Sequence, residues 1–411
     1  MLWQVYYYYV PLYLDELLTA KYGSKNYANI IGHIMSLDNL AAILIIPLFG
    51  FLSDRTKTKM GRRMPYIIWG AVISLILFPL IAVMFLLNAF VWYFMIVILL
   101  VFAMASWRAP AVSLMPDITP KPLRINANAV INFIGYVGAI LGGGLTLLFA
   151  AKKDDVTNQW VNTNVSIIPF IVTAVVLMVV IVLFLLRFFE NKVVAEMKPQ
   201  MEEGERQAET ISPVEEGKPL SKQDKINFGI VIAAVFFCWF AFNALQSFGS
   251  IYGDKVLIPE GGTNLWGICT IILAVSCLIT FLPSIWLSKK IGRKWSVIAG
   301  LGIVVLAVAL AAVFVSSFGV LLYVLLAVCG IGFAIVMVNS YPMVVEMATA
   351  KNLGVFTGIY YFASQGAMFL TSNISGYVFK YVGYHFYFYY ALIFMSIALV
   401  ICFFYRQKRK V

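Results

Sequence analysis

Charge is what this sequence has least of. Only 12% of its 411 residues are Asp, Glu, Lys or Arg, while 62% are apolar; an average soluble domain is about 25% charged. So few charges cannot clothe a water-exposed surface, which excludes a soluble fold. Histidine is nearly missing, with two residues. No H-E-x-x-H, no G-x-S-x-G and no Ser, His and Asp grouping on facing segments is present, so the chain does not read as an enzyme and calls for no metal or cofactor. The five cysteines all fall in apolar runs without paired or metal-ligand spacing, which makes them small packing residues. The N-terminal apolar run lacks a basic leader and a small-residue cleavage site, so no cleavable signal is expected.

What is present is a series of apolar runs, each long enough to cross a hydrocarbon core of about 30 Å as a helix. They are Leu2 to Leu18, Asn29 to Leu52, Pro65 to Leu87, Val91 to Met115, Ala127 to Ala150 and Ile167 to Phe189, then Phe228 to Tyr252, Asn264 to Leu287, Trp295 to Val315, Gly319 to Met343, Gly354 to Phe379 and Tyr384 to Tyr405. The expected fold is an all-α membrane protein of twelve transmembrane helices in two six-helix bundles. The first run holds only 17 residues, so the first helix is expected to be truncated at its N-terminus.

The net charge of +11 does not point to nucleic acid. With both termini placed in the cytoplasm, 23 of the 30 Lys and Arg fall on that side, 6 on the other, and Arg108 lies within a span. That asymmetry is the positive-inside signature of an integral multi-pass protein of the lipid bilayer, expected in a bacterial plasma membrane and to work as a monomer.

One long polar segment, 190–227, separates a bundle at 1–189 from another at 228–411 and reads as a cytoplasmic linker. The halves echo each other. Trp3 and Trp239 are 236 apart, as are Pro47 and Pro283; the GRR at Gly61 and the GRK at Gly292 are 231 apart, and Pro110 and Pro342 are 232 apart. Four matches within so narrow an offset indicate parallel repeats.

Polar residues inside spans mark pathways, because hydrocarbon tolerates them only where they face protein or water. Trp239, Asn243, Gln246, Ser247 and Ser250 share one helical face. Asn128, Asn132 and Tyr136 repeat the device in the fifth span; Asn339, Tyr360, Tyr361 and Gln365 add to it in the tenth and eleventh. Aromatic faces beside carboxamides suit a neutral sugar, with rings against its CH face and paired donors and acceptors for its hydroxyls. Gly138 and Gly142, by contrast, read as a packing seam. Two full charges lie well inside spans. Arg108, next to Trp107, offers a fork of donors to an oxygen-rich ligand, and Asp38 can carry a proton. Counted from Asp54 and Asp117 along each span, their depths differ by roughly 10 Å, which argues against a simple ion pair.

The stretch Gly50 to Tyr66, GFLSDRTKTKMGRRMPY, resembles the cytoplasmic signature of the major facilitator superfamily through Gly50, Asp54, Gly61, Arg62 and Arg63. Its RRMPYI ending, with RAPAVSLMPDITPKPLRINANAVINFIGYVGAILG, VNSYPMVVEMA and TGIYYFASQGA, is similar to the glycoside-pentoside-hexuronide:cation symporters and the sucrose transporter branch. The resemblance implies proton-coupled symport of a disaccharide or short oligosaccharide by alternating access. It implies a gate at Gly50, Asp54, Arg62, Arg63, Asp117, Arg293 and Glu346. Relatives carry cation-binding acids where this chain has Ala42 and Ile46, and a sugar-binding acid where it has Arg108. Without those oxygen ligands sodium is disfavoured as the coupling ion, leaving Asp38 as the proton site. Rival readings are a glycoside uniporter or exporter, a lysolipid carrier of the same superfamily, and a non-transporting membrane sensor.

Overall fold

Backbone crossing hydrocarbon must satisfy its own N–H and C=O groups, and a helix does so within one segment. The computed structural model describes residues 1–120, 123–150, 152–153, 160–161, 163–211, 222–258, 263–345, 347 and 353–406. The helices are α1 (Leu2–Tyr22), α2 (Ala28–Met35), α3 (Leu37–Arg55), α4 (Met64–Leu86), α5 (Phe90–Ile118), α6 (Arg124–Leu148) and α7 (Thr163–Arg187). They continue as α8 (Glu190–Ile211), α9 (Lys222–Tyr252), α10 (Trp266–Ile291), α11 (Arg293–Phe314), α12 (Val320–Val345), α13 (Leu353–Val382) and α14 (Tyr387–Phe403). A π-helical turn, Gly253–Leu257, extends α9, and a 3-10 turn, Tyr384–Phe386, precedes α14. The described residues also contain one two-residue ladder, β1 (Lys152–Lys153) antiparallel to β2 (Trp160–Val161).

Nine helices among the described residues are long and apolar enough to cross a membrane. The first, fifth and eleventh predicted spans are α1, α6 and α13, of 21, 25 and 30 residues. With α2 and α3 forming one span, Ala28–Arg55, the architecture is the expected twelve.

Three predicted elements change. α1 runs on to Tyr22 and stops where Gly23, at φ +87, donates its N–H to Thr19 O. The second span breaks at Ser36, whose hydroxyl donates to His33 O at 2.7 Å. The linker is helical in its first part, because α8 occupies Glu190–Ile211.

The repeat-matched pairs fall on corresponding elements. Trp3 and Trp239 lie in α1 and α9, Pro47 and Pro283 in α3 and α10, and Pro110 and Pro342 in α5 and α12. Gly61 and Gly292 both take positive φ, +116 and +83, a conformation that side chains disfavour.

The chain packs as two compact units, Met1–Ser36 with Gly138–Val161 and Glu215–Val411, and Leu37–Val137 with Asn162–Val214. In the first, α12 lies along α10 and α11, α14 along α9 and α11, and α13 along α9 and α2, while α1 lies on α9. The Gly138 and Gly142 seam receives the start of α1: a Cβ at Gly142 would stand 2.7 Å from Gln4 Cβ. In the second unit α4 packs between α5 and α7, and α3 and α8 pack on α5.

Candidate functional site

The polar face of α9 is built from the aromatic side outward. Phe242 stacks on Phe333 with centroids 4.0 Å apart, and Trp239 meets both rings edge-on at 5.7 Å. One turn further, Asn243 is fully buried. Its Oδ1 accepts from Ser372 Oγ of α13 at 2.7 Å and from Ser247 Oγ at 3.4 Å. That leaves two buried donors on this face without a partner, Trp239 Nε1–H and Asn243 Nδ2–H. A buried polar group without a partner costs about 1–3 kcal/mol, so such a pair invites an acceptor. Gln246 and Gln365 are half-buried.

Beside them α12 and α13 are joined by hydroxyls. Ser340 Oγ and Tyr360 OH lie 3.1 Å apart, and Tyr341 OH and Thr357 Oγ1 3.3 Å apart. Tyr361 is exposed, with its ring edge-on to Tyr360. Asn339 is buried, and its Nδ2 donates to Ile335 O within its own helix, which spends that donor locally. Ser372 is the residue sequence reasoning missed here; it sits 129 positions from Asn243.

In the other unit, Trp107 Nε1 donates to Ser74 Oγ of α4 at 3.3 Å, and Arg108 is exposed on α5. Asp38 is buried, and its Oδ1 accepts from the backbone N–H and the Nδ2 of Asn39, each at 2.7 Å. Tyr136 is half-buried on α6. Asn128 and Asn132 belong to α6, but their side chains lie outside the described residues, as does Glu346.

The basic loop is ordered by three acids. Arg63 is buried; it donates through Nε to Asp117 Oδ2 at 2.9 Å, through Nη2 to Asp54 Oδ1 at 2.5 Å and through Nη1 to Ser53 Oγ at 2.6 Å. Burial alone would lower the Arg63 guanidinium, yet the Asp117 and Asp54 carboxylates hold it above its ordinary value. Arg62 Nη2 pairs with Asp117 Oδ1 at 2.7 Å from a more exposed position. Gly50 is not a close-approach glycine, since a Cβ there would meet only Ala109 Cβ at an ordinary 3.9 Å. Its carbonyl instead accepts from Arg63 Nη1 at 3.4 Å.

The third acid is Glu190, at the start of α8, which sequence reasoning did not single out. Its carboxylate accepts four hydrogen bonds of 2.9–3.1 Å from the backbone N–H groups of Arg62, Arg63 and Met64. Those are donors that the start of α4 leaves unsatisfied, and a carboxylate is also favoured there by the helix dipole. Asn191 Nδ2 adds a bond to Lys59 O at 2.9 Å. Among the described residues no group of three or more His, Cys, Asp or Glu is arranged to hold a metal.

Comparison with known proteins agrees with this architecture. No curated protein matches the chain. The solved structures it is similar to include the xylose transporter XylE from E. coli in a partially occluded inward open conformation. That likeness has a TM-score of 0.68 at 14% identity, over 100% of this chain and 97% of the other. A variant of the nucleoside transporter NupG aligns with a TM-score of 0.63 at 17% identity, over 98% and 95%. A POT family transporter in complex with 5-aminolevulinic acid gives 0.64 at 14% identity, over 98% and 93%. At such identities these likenesses establish the fold. The family model described as MFS/sugar transport protein matches residues 1–405, so the chain belongs to that family of the major facilitator superfamily and is a membrane transporter, not an enzyme.

Proposed function

We propose that this transporter carries a disaccharide or short oligosaccharide together with protons, by alternating access of the halves 1–189 and 228–411 about the 190–227 linker. Both termini are assigned to the cytoplasm and the protein to a bacterial plasma membrane. The observation that carries the sugar reading is the pair of buried, unpartnered donors on α9, Trp239 Nε1–H and Asn243 Nδ2–H, beside the Phe242 and Phe333 stack. An apolar ligand would leave both donors unsatisfied, whereas hydroxyl oxygens accept from them. Asp38 is the proton carrier in this reading, being a buried carboxylate, and Arg108 is a further ligand donor.

Uptake of radiolabelled disaccharides into proteoliposomes tests both parts. Trp239→Phe and Asn243→Ala should each raise KM about tenfold, the effect of losing one hydrogen bond of roughly 1.4 kcal/mol to ligand. Asp38→Asn should abolish accumulation against a gradient while leaving exchange. Unchanged KM in both α9 variants would overturn the sugar site, and full accumulation by Asp38→Asn would overturn the coupling assignment.

A further inference from the structure

From Tyr8 in α1 through α2, towards the end where α1 finishes, helices of the first sequence half are fastened to helices of the second within one compact unit. Most of the fastening is neutral. Tyr8 OH donates to Asn264 O at 2.8 Å, Asn26 Nδ2 donates to Phe379 O at 2.8 Å, and His33 hydrogen-bonds Asn373 and, at 3.2 Å, Tyr377 OH. Gly32 and Gly376 let α2 and α13 touch: a Cβ at Gly376 would stand 2.7 Å from Ala28 O.

One fastening is ionic. Lys255, on the π-helical turn after α9, places Nζ 2.6 Å from Asp15 Oδ2 of α1 and 3.7 Å from Asp254 Oδ2 of its own turn. Both acids are buried, each 7% exposed. The lysine thus has one acid on each side of the junction, and the two differ in what happens to them when the helices part. Asp15 leaves with α1. Asp254 stays, because it is the lysine's chain neighbour. Tyr384, from the 3-10 turn that packs on this π-helical turn, is 8% exposed and its hydroxyl has no partner.

We propose that Asp15, Asp254 and Lys255 form an exchangeable charge lock: Lys255 bonded to Asp15 holds this end shut, and transfer of its ammonium to Asp254 lets α1 separate without stranding a cation. The proposal rests on alternating access. It assigns opposite effects to two acids that flank one ammonium, and a merely structural cluster would not behave so. Without Asp15 the lysine turns to Asp254 and the closed state loses its ionic tie. Without Asp254 the opened state has no acceptor for the lysine, and closure is favoured.

Spin labels introduced at Tyr22 and Tyr381, both exposed on opposite sides of the junction, read the opening as a longer inter-label distance. The five native cysteines are buried and leave labelling selective. The full-length protein is measured in proteoliposomes without substrate, so an error in the sugar or proton assignment leaves the result unaffected. Asp15→Asn should raise the long-distance population at least threefold. Asp254→Asn should lower it below wild type, and the charge swap Asp15→Lys with Lys255→Asp, which keeps the tie but puts the cation on α1 with no acid to receive it on opening, should also lie below wild type. Both acid variants shifting the same way, a swap as open as Asp15→Asn, or no long-distance population in any variant would each overturn the lock.

Discussion

The two repeat-related basic loops share a glycine of positive φ and a basic pair, but differ in length and in the partners of their cations. Gly61 and Gly292 both hold positive φ, Gly61 three residues before α4 and Gly292 immediately before α11, and both are followed by a basic pair, Arg62 and Arg63 or Arg293 and Lys294. The first loop sits in a network of Asp54, Asp117 and Glu190. In the second, Ser288 stands near the place of Asp54, and its hydroxyl donates only to Ile285 O of its own helix. Lys294 Nζ donates to the Phe403 carbonyl at 3.3 Å, and Lys290 lies 5.2 Å from the Trp286 ring centroid. A tight turn therefore needs only its glycine, while an ordered cationic loop needs acids brought from other helices.

Breaking that comparison should have graded effects. Glu190→Ala removes the acceptor of three backbone donors, two of them at buried residues. It should cost roughly 3 kcal/mol and lower the unfolding midpoint in detergent by several degrees; an unchanged midpoint would remove Glu190 from the account. Next comes a matched pair of glycine substitutions. Gly292→Ala carries the strain of positive φ, about 1–2 kcal/mol, and Gly61→Ala carries the same strain with a Cβ that would also fall on the Glu190 side chain. Thermal unfolding should therefore rank Gly61→Ala clearly below Gly292→Ala, and equal midpoints would show that the network adds nothing to the turn. The smallest effect belongs to Arg62→Ala, whose side chain is 44% exposed. An ion pair so placed contributes about 0.2–1 kcal/mol, so stability should hardly move at physiological salt.

Much of the fold was legible because apolar length and period are local properties. Pro47 and Pro283, Gly61 and Gly292 could be matched by counting, and each pair landed on corresponding elements. The stripe on α9 was equally visible, since residues three and four apart share a face whatever the neighbouring helix is. The α8 helix was not, because its few apolar residues, Val193, Val194, Met197 and Met201, are sparse within a strongly polar segment with Pro199 inside it, which reads as a solvated linker. Glu190 was passed over for the same reason. It stood at the edge of a polar segment, with nothing local to separate a helix-capping acid from a solvated one.

The sequence by itself determined twelve spans, the internal repeat, the basic loop and the polar face of α9, all of which follow from the spacing of residues along one helix or one loop. Only the tertiary structure decided which polar atoms meet: Glu190 with the start of α4, 127 residues from Arg63; Ser372 with Asn243; Lys255 with Asp15. The reason is physical. A helix satisfies its own backbone, so its position is set by its own residues, but a buried side chain finds its partner across a helix junction, and that junction exists only once the helices have packed.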